Sequence, residues 1–171
     1  MKRIIQSTLI LAMSFITLIS FAQDQAKAPA SPALKASGKS GAANITISYG
    51  SPSVKGRKVW GELVPYGKVW RTGANDATVI DFDADVKVEG QPLAKGSYSL
   101  FTIPEESEWT IIFNKKPKQW GAYSYKQEDD ALRVKVKPVK SASFNESLNI
   151  AVTNGKVLIR WENLEVPITI K

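Results

Sequence analysis

The stretch Leu148–Trp161, LNIAVTNGKVLIRW, decides the fold. Leu148, Ile150 and Val152 alternate with Asn149, Ala151 and Thr153, and Val157, Ile159 and Trp161 continue the alternation beyond Asn154-Gly155. A period of two is the side-chain period of a β-strand, and Asn-Gly supplies the two positive φ values of a type I′ turn. The segment predicts an antiparallel hairpin. Trp161-Glu162-Asn163-Leu164 predicts a further reversal, into a strand from Val166 to Ile170. Pro167 cannot donate to a ladder, so that strand is expected at an edge or bulged.

Working towards the N-terminus, the same signal recurs. Leu132, Val134 and Val136 alternate with Arg133, Lys135 and Lys137, giving one apolar and one basic face. That basic stripe is expected to be a solvated face or a guard on an exposed edge. Trp109, Ile111 and Phe113, the run Tyr98 to Ile103, the short runs Val79 to Phe82 and Val86 to Val88, and Ile45, Ile47 and Tyr49 complete the set. No amphipathic helix of three turns interrupts 44–171, and there is no GxGxxG, phosphate loop or long repeat. The expected class is all-β, an antiparallel β-sandwich or jelly roll of about eight to ten strands.

The first residues read differently. Lys2 and Arg3 precede an apolar stretch from Ile4 to Phe21, and Ser20-Phe21-Ala22 places small residues where a signal peptidase reads. This predicts a signal peptide over 1–22, cleaved after Ala22; the alternative is an uncleaved anchor. With no Cys to carry a lipid and no later apolar span, the expected product is periplasmic or secreted, without a transmembrane segment. Residues 23–43, rich in Ala, Pro, Ser and Lys, read as a flexible tether, which leaves 44–171 as a single domain.

Composition narrows the chemistry. Of 171 residues none is Cys or His. Disulfides, thiolate nucleophiles, Cys/His zinc sites and Ser-His-Asp triads are thereby excluded. The formal net charge of +7 falls to +5 without Lys2 and Arg3, and to +3 once Lys27, Lys35 and Lys39 are set against Asp24 and removed. So small an excess gives no case for nucleic acid. It is uneven, however: Lys55, Arg57, Lys58, Lys68 and Arg71 face Glu62 alone within 51–75.

Residues 51–78, SPSVKGRKVWGELVPYGKVWRTGANDAT, have no strand period. Four Gly and two Pro punctuate two Trp, one Tyr and five basic residues. A long ordered connection of this kind is commonly functional. The candidate ligand-binding residues are Arg57, Trp60, Tyr66, Trp70, Arg71 and Asn75, joined by Trp120 from the second aromatic-basic segment, KKPKQWGAYSY at 115–125. Trp60 and Trp70 either stack on a flat ligand or plug the end of the sandwich. Arg71 either forks onto an anion, or ties loop carbonyls and pairs with Asp76, Asp81 or Asp83. Asn75 is expected to make an Asx-turn. Asp81, Asp83 and Asp85 alternate, which suits an acidic turn or weak Ca²⁺ binding.

The long motif at 51–78, with KGSYSLFTIP, EWTIIFN, QWGAY and LRVKVKP further on, resembles the domain-of-unknown-function family 2911 over essentially all of 44–171. The resemblance implies an exported bacterial protein and carries over no catalytic residue. From the residues, the expected function is a non-catalytic envelope protein without a cofactor, holding a glycan, a peptide or a small anionic ligand. The alternatives are an assembly protein docking to an outer-membrane partner, and a carboxylate-dependent hydrolase.

Overall fold

The computed structural model describes residues 30–171. The expected signal peptide and the first part of the expected tether lie outside the described residues. Ten strands follow: β1 (Ala33–Ser40), β2 (Ala43–Gly50), β3 (Thr78–Phe82), β4 (Val86–Val88), β5 (Gln91–Leu93), β6 (Gly96–Ile103), β7 (Trp109–Asn114), β8 (Asp130–Val136), β9 (Val139–Thr153) and β10 (Lys156–Thr169). A single turn of 3₁₀ helix, Gln127–Asp129, leads into β8. The protein is all-β and sandwich-like. One antiparallel sheet runs β1-β2-β3-β6-β7-β8, and the β9–β10 ribbon and the small β4–β5 pair complete the fold.

The alternation in the sequence is the burial pattern of the sheet. Ile45, Ile47 and Tyr49 of β2, Trp109, Ile111 and Phe113 of β7, and Val134 and Val136 of β8 face the core. Leu148 and Ile150 of β9 and Val157, Ile159 and Trp161 of β10 meet them there. Each fully buried side chain of this size contributes about 1.5–3 kcal/mol relative to exposure, so the cluster holds the layers together without disulfides. The basic residues of β8 lie on the sheet edge, as expected. Arg133 Nε pairs with Asp130 at 3.2 Å and Lys135 Nζ with Glu108 at 3.8 Å.

The predicted hairpin is present. Asn154 and Gly155 have φ of 49° and 70°, and Lys156 pairs with Thr153. The reversal expected at Trp161–Leu164 is not. β10 runs on through it, with register shifts between Arg160 and Glu162 and between Glu162 and Leu164. Glu162 takes a φ of 54°, so the local kink is a bulge in a ribbon whose partner strand continues alongside. Pro167 lies beyond the last β9 partner, where a missing N–H costs no ladder bond.

The domain boundary also moves. Residues 33–40, expected within the tether, form β1 and pair with β2 from Ala33↔Gly50 to Ser40↔Ala43. The strand is legible only from its neighbours. A Cβ on Gly38 would lie 2.7 Å from Val152 Cβ, so the small residue lets β1 pass close to β9.

A second, smaller cluster lies on the opposite face of the large sheet. Phe101 of β6, Ile112 of β7 and Ala77 are buried there, covered by Val69, Ile103, Ala122 and Tyr125. The segment 115–125 therefore packs across the outer face of the sheet. Phe101 and Tyr125 meet edge-on with ring centroids 5.1 Å apart.

Candidate binding site

The 51–78 connection is anchored at several points. Ser53 bridges Ser147, and Trp60 bridges Val64 within the loop. Trp70 N donates to Thr102 O at 2.7 Å and Thr102 N returns to Trp70 O at 2.9 Å. Thr78 Oγ1 donates to Thr72 O at 2.8 Å. Gly50 makes the tightest crossing: a Cβ there would lie 2.2 Å from Ala74 O, so only glycine lets β2 pass under the loop.

Trp60 and Trp70 are buried and build a four-indole cluster with Trp109 and Trp161. Trp60 stands edge-on to the other three, with centroids 4.9 to 5.8 Å away. Trp70 and Trp161 lie nearly parallel at 18° and 5.8 Å. Edge-to-face contacts set the positive rim of one ring against the negative face of the next. Trp70 Nε1 donates to Gly73 O at 3.1 Å, whereas the buried Nε1 atoms of Trp60, Trp109 and Trp161 have no hydrogen-bond acceptor. Trp60, which lines neither of the two cavities beside Arg71, is a plug in the core. Its face is not available as a stacking platform.

Arg71 follows directly on this cluster and lines two cavities. One, of about 210 Å³, is walled by Arg57, Leu63, Trp70, Arg71, Gly73 and Trp161 among others. The other, of about 90 Å³, is walled by Arg71, Asn75, Trp120, Gly121 and Tyr123. Neither wall contains a carboxylate. Arg71 Nε is buried without a hydrogen-bond partner, and no Asp or Glu pairs with its guanidinium among the described residues. The expected pairing with Asp76, Asp81 or Asp83 is therefore not made. Arg57 is the loop-tying arginine: its Nε donates to Val54 O at 3.0 Å and its Nη2 to Ser53 O at 2.6 Å.

The two loops meet. Asp76 bridges Trp120, Ala77 N donates to Gln119 O at 2.9 Å, and Gly121 N donates to Asn75 O at 3.1 Å. These bonds bring Asn75 and Trp120 to Arg71. They also correct the expectation for Asn75. The N–H an Asx-turn would capture, that of Ala77, goes to Gln119, and Asn75 Nδ2 reaches Ser31 O at 3.4 Å instead. Thr72 and Asn75 both hold positive φ, 56° and 63°. For a β-branched residue such as Thr72 this is a strained conformation, of a kind that gathers at functional sites.

Of the seven candidate residues, Arg71, Asn75 and Trp120 converge on one cavity, and Arg57, Trp70 and Arg71 on its neighbour. Tyr66 is half-buried and lines neither; burial and the nearby Glu106 push its phenol up. Two aromatic wall residues, Trp161 and Tyr123, are not among the candidates. Trp161 ends a clean alternation and reads only as core. Tyr123 sat in the second aromatic segment without a partner to single it out. Of the three alternating aspartates, Asp81 lies within β3, opposite Ser97 of β6, and the other two serve the turn. Asp83 accepts from Asn44 N and Nδ2, bonds that hold its carboxyl below the usual range, and Asp85 accepts from Lys95 N.

The fold and this cleft define an exclusively β domain with a loop-built, carboxylate-free recess beside one sheet. The chain belongs to the family described as protein of unknown function (DUF2911), whose model matches residues 31–170. The match begins just before β1, in keeping with the earlier domain boundary. Comparison with the curated proteins and with the solved structures finds no match.

Proposed function

We propose that this is an exported, non-catalytic binding protein of the cell envelope that holds a small anionic ligand at Arg71. The observation that carries the reading is that Arg71 lines two cavities whose walls contain no carboxylate and that its buried Nε has no acceptor among the described residues. A desolvated, unpaired donor costs about 1–3 kcal/mol, and an oxyanion entering the recess recovers that cost through a charge-assisted bond. Arg57 adds positive charge to the larger cavity, and Trp70 and Trp161 add apolar wall.

Size favours the small ligand classes. Cavities of about 210 and 90 Å³ fall below the range of roughly 300–1,000 Å³ usual for drug-sized ligands. A single small acid fits, and a long glycan does not. The burial of Trp60 also counts against an aromatic glycan platform. The reading as non-catalytic rests on a chain without His or Cys and on walls without carboxylates.

The test is calorimetric titration with acetate, phosphate, sulfate and short acidic peptides, alongside a thermal melt. Arg71→Lys keeps the charge but loses the planar fork. The expected result is binding weakened by about tenfold or more, from charge-assisted bonds worth about 1.5–3 kcal/mol, with a nearly unchanged melt. A wild type that binds none of these, together with a lowered melt for Arg71→Lys, would make Arg71 a structural residue. Export is tested separately: mass spectrometry of the exported protein is expected to find Gln23 at the N-terminus, and a retained leader would overturn that assignment.

A further inference from the structure

Beyond the recess, the segment 115–126 has an outward face that its neighbours leave uncovered. Trp120 is 64% exposed and Tyr123 87% exposed, although the other four tryptophans are buried. Next to them lies an open groove of about 550 Å³, lined by Lys115, Lys116, Lys118 and Lys126 with Pro117 and Gln119. Lys116 Nζ pairs with Asp129 at 2.7 Å and Lys126 Nζ with Glu128 at 3.6 Å. Lys115 and Lys118 have no ion-pair partner among the described residues.

The platform is tied to the sheet. Asn114 Nδ2 donates to Lys126 O at 3.1 Å, Gln119 Nε2 to Asn114 Oδ1 at 3.0 Å, and Tyr125 packs on Phe101. The backbone is thus held against the sheet while Trp120 and Tyr123 project from it. Two amphipathic aromatic rings beside unpaired lysines match the chemistry of a membrane–water interface, where indole and phenol sit at headgroup level and ammonium groups meet lipid phosphates. The acidic groups nearby do not cancel this: Asp129 and Glu128 are engaged with Lys116 and Lys126, and Asp76, which lines a cavity together with Trp120 and Lys118, makes no ion pair with Lys118.

We propose that this face, Trp120 and Tyr123 with Lys115 and Lys118, docks the protein onto an anionic lipid surface. The face shares Trp120 and Tyr123 with the smaller Arg71 cavity, but its lysines lie outside that cavity, and the test of the recess uses soluble anions, so the two readings can fail separately.

The full chain is mixed with vesicles of phosphatidylcholine alone, or of phosphatidylcholine and phosphatidylglycerol, and tryptophan emission is followed. Because Trp120 is the one exposed indole, the difference spectrum between wild type and Trp120→Phe reports it, whatever residues 1–29 contribute. The expected result is a blue shift of that difference with the anionic vesicles only, reversed by salt. Lys115→Glu with Lys118→Glu should lower partitioning by at least about tenfold, since each lysine near such a surface is worth roughly fivefold. These exposed variants should melt like the wild type, which separates docking from folding. An unshifted Trp120 signal, an equal shift with neutral vesicles, or undiminished partitioning of the double-glutamate variant would each overturn the proposal.

Discussion

Trp70 and Thr102 exchange both backbone hydrogen bonds, at 2.7 and 2.9 Å, two residues beyond the point where β3 stops pairing with β6. The last β3–β6 pair is Thr78↔Leu100, two residues short of Thr102, so Trp70 occupies the position that Asp76 of an extended β3 would have held. The loop is hydrogen-bonded as a piece of the sheet, and Arg71 inherits its position from β6. A long connection without strand periodicity can therefore hold a side chain as firmly as a strand does.

That relationship makes the two exposed-or-buried tryptophans of the site separable. Trp70→Ala removes a buried indole stacked on Trp161 and should cost about 3–5 kcal/mol in urea denaturation. Trp120→Ala, on an exposed ring, should stay within about 0.5 kcal/mol of the wild type. Equal losses would show that the indole cluster is not part of the core.

Gly50→Ala places a Cβ 2.2 Å from Ala74 O, a backbone atom that cannot swing aside. A loss of about 1–3 kcal/mol or more is expected, together with weakened binding if the Arg71 recess shifts with the loop. An unchanged denaturation midpoint would mean that the crossing is looser than the geometry requires.

Gly155→Val puts a β-branched residue at φ 70°, with its Cβ about to meet Ile170 O at 3.2 Å. Strain at such a position is of order 1–3 kcal/mol. Equilibrium unfolding of the variant measures it directly, and a neutral result would contradict the type I′ turn.

Tyr125 gives the alkaline limit of the outer cluster. Burial first, then the 2.7 Å hydrogen bond to Asp130 Oδ2 and the charge of Asp130, push its phenol from 10.0 up to about 12. The folded state favours the protonated form. Its contribution is complete below the unfolded pKa and is lost as pH rises through about 12. Stability measured between pH 10 and 12 should fall more steeply for the wild type than for Tyr125→Phe. At neutral pH the variant should lose about 1 kcal/mol, the worth of one hydrogen bond. Parallel curves would remove Tyr125 from the pH response.

Much of the architecture was legible because burial on one sheet face writes itself as alternation. Leu148 to Trp161, Leu132 to Val136 and Ile45 to Tyr49 each declared a strand, and Asn154-Gly155 declared a turn, through local chemistry alone. β1 was not legible: its residues are mostly exposed, so ALKASGKS carries no apolar period, and its conformation comes from the β2 ladder and the close pass of Gly38 by β9. The kink at Glu162 was read as a reversal because a positive φ serves a turn or a bulge equally well, and only the partner strand chooses between them. The sequence by itself determined an all-β chain, its family and an aromatic-basic loop. Tertiary structure decided which aromatic is core and which is surface, since Trp60 and Trp120 differ only in what packs over them. It also decided that Arg71, Asn75 and Trp120 share a recess, because that convergence depends on backbone hydrogen bonds between two loops some forty residues apart, which no local pattern encodes.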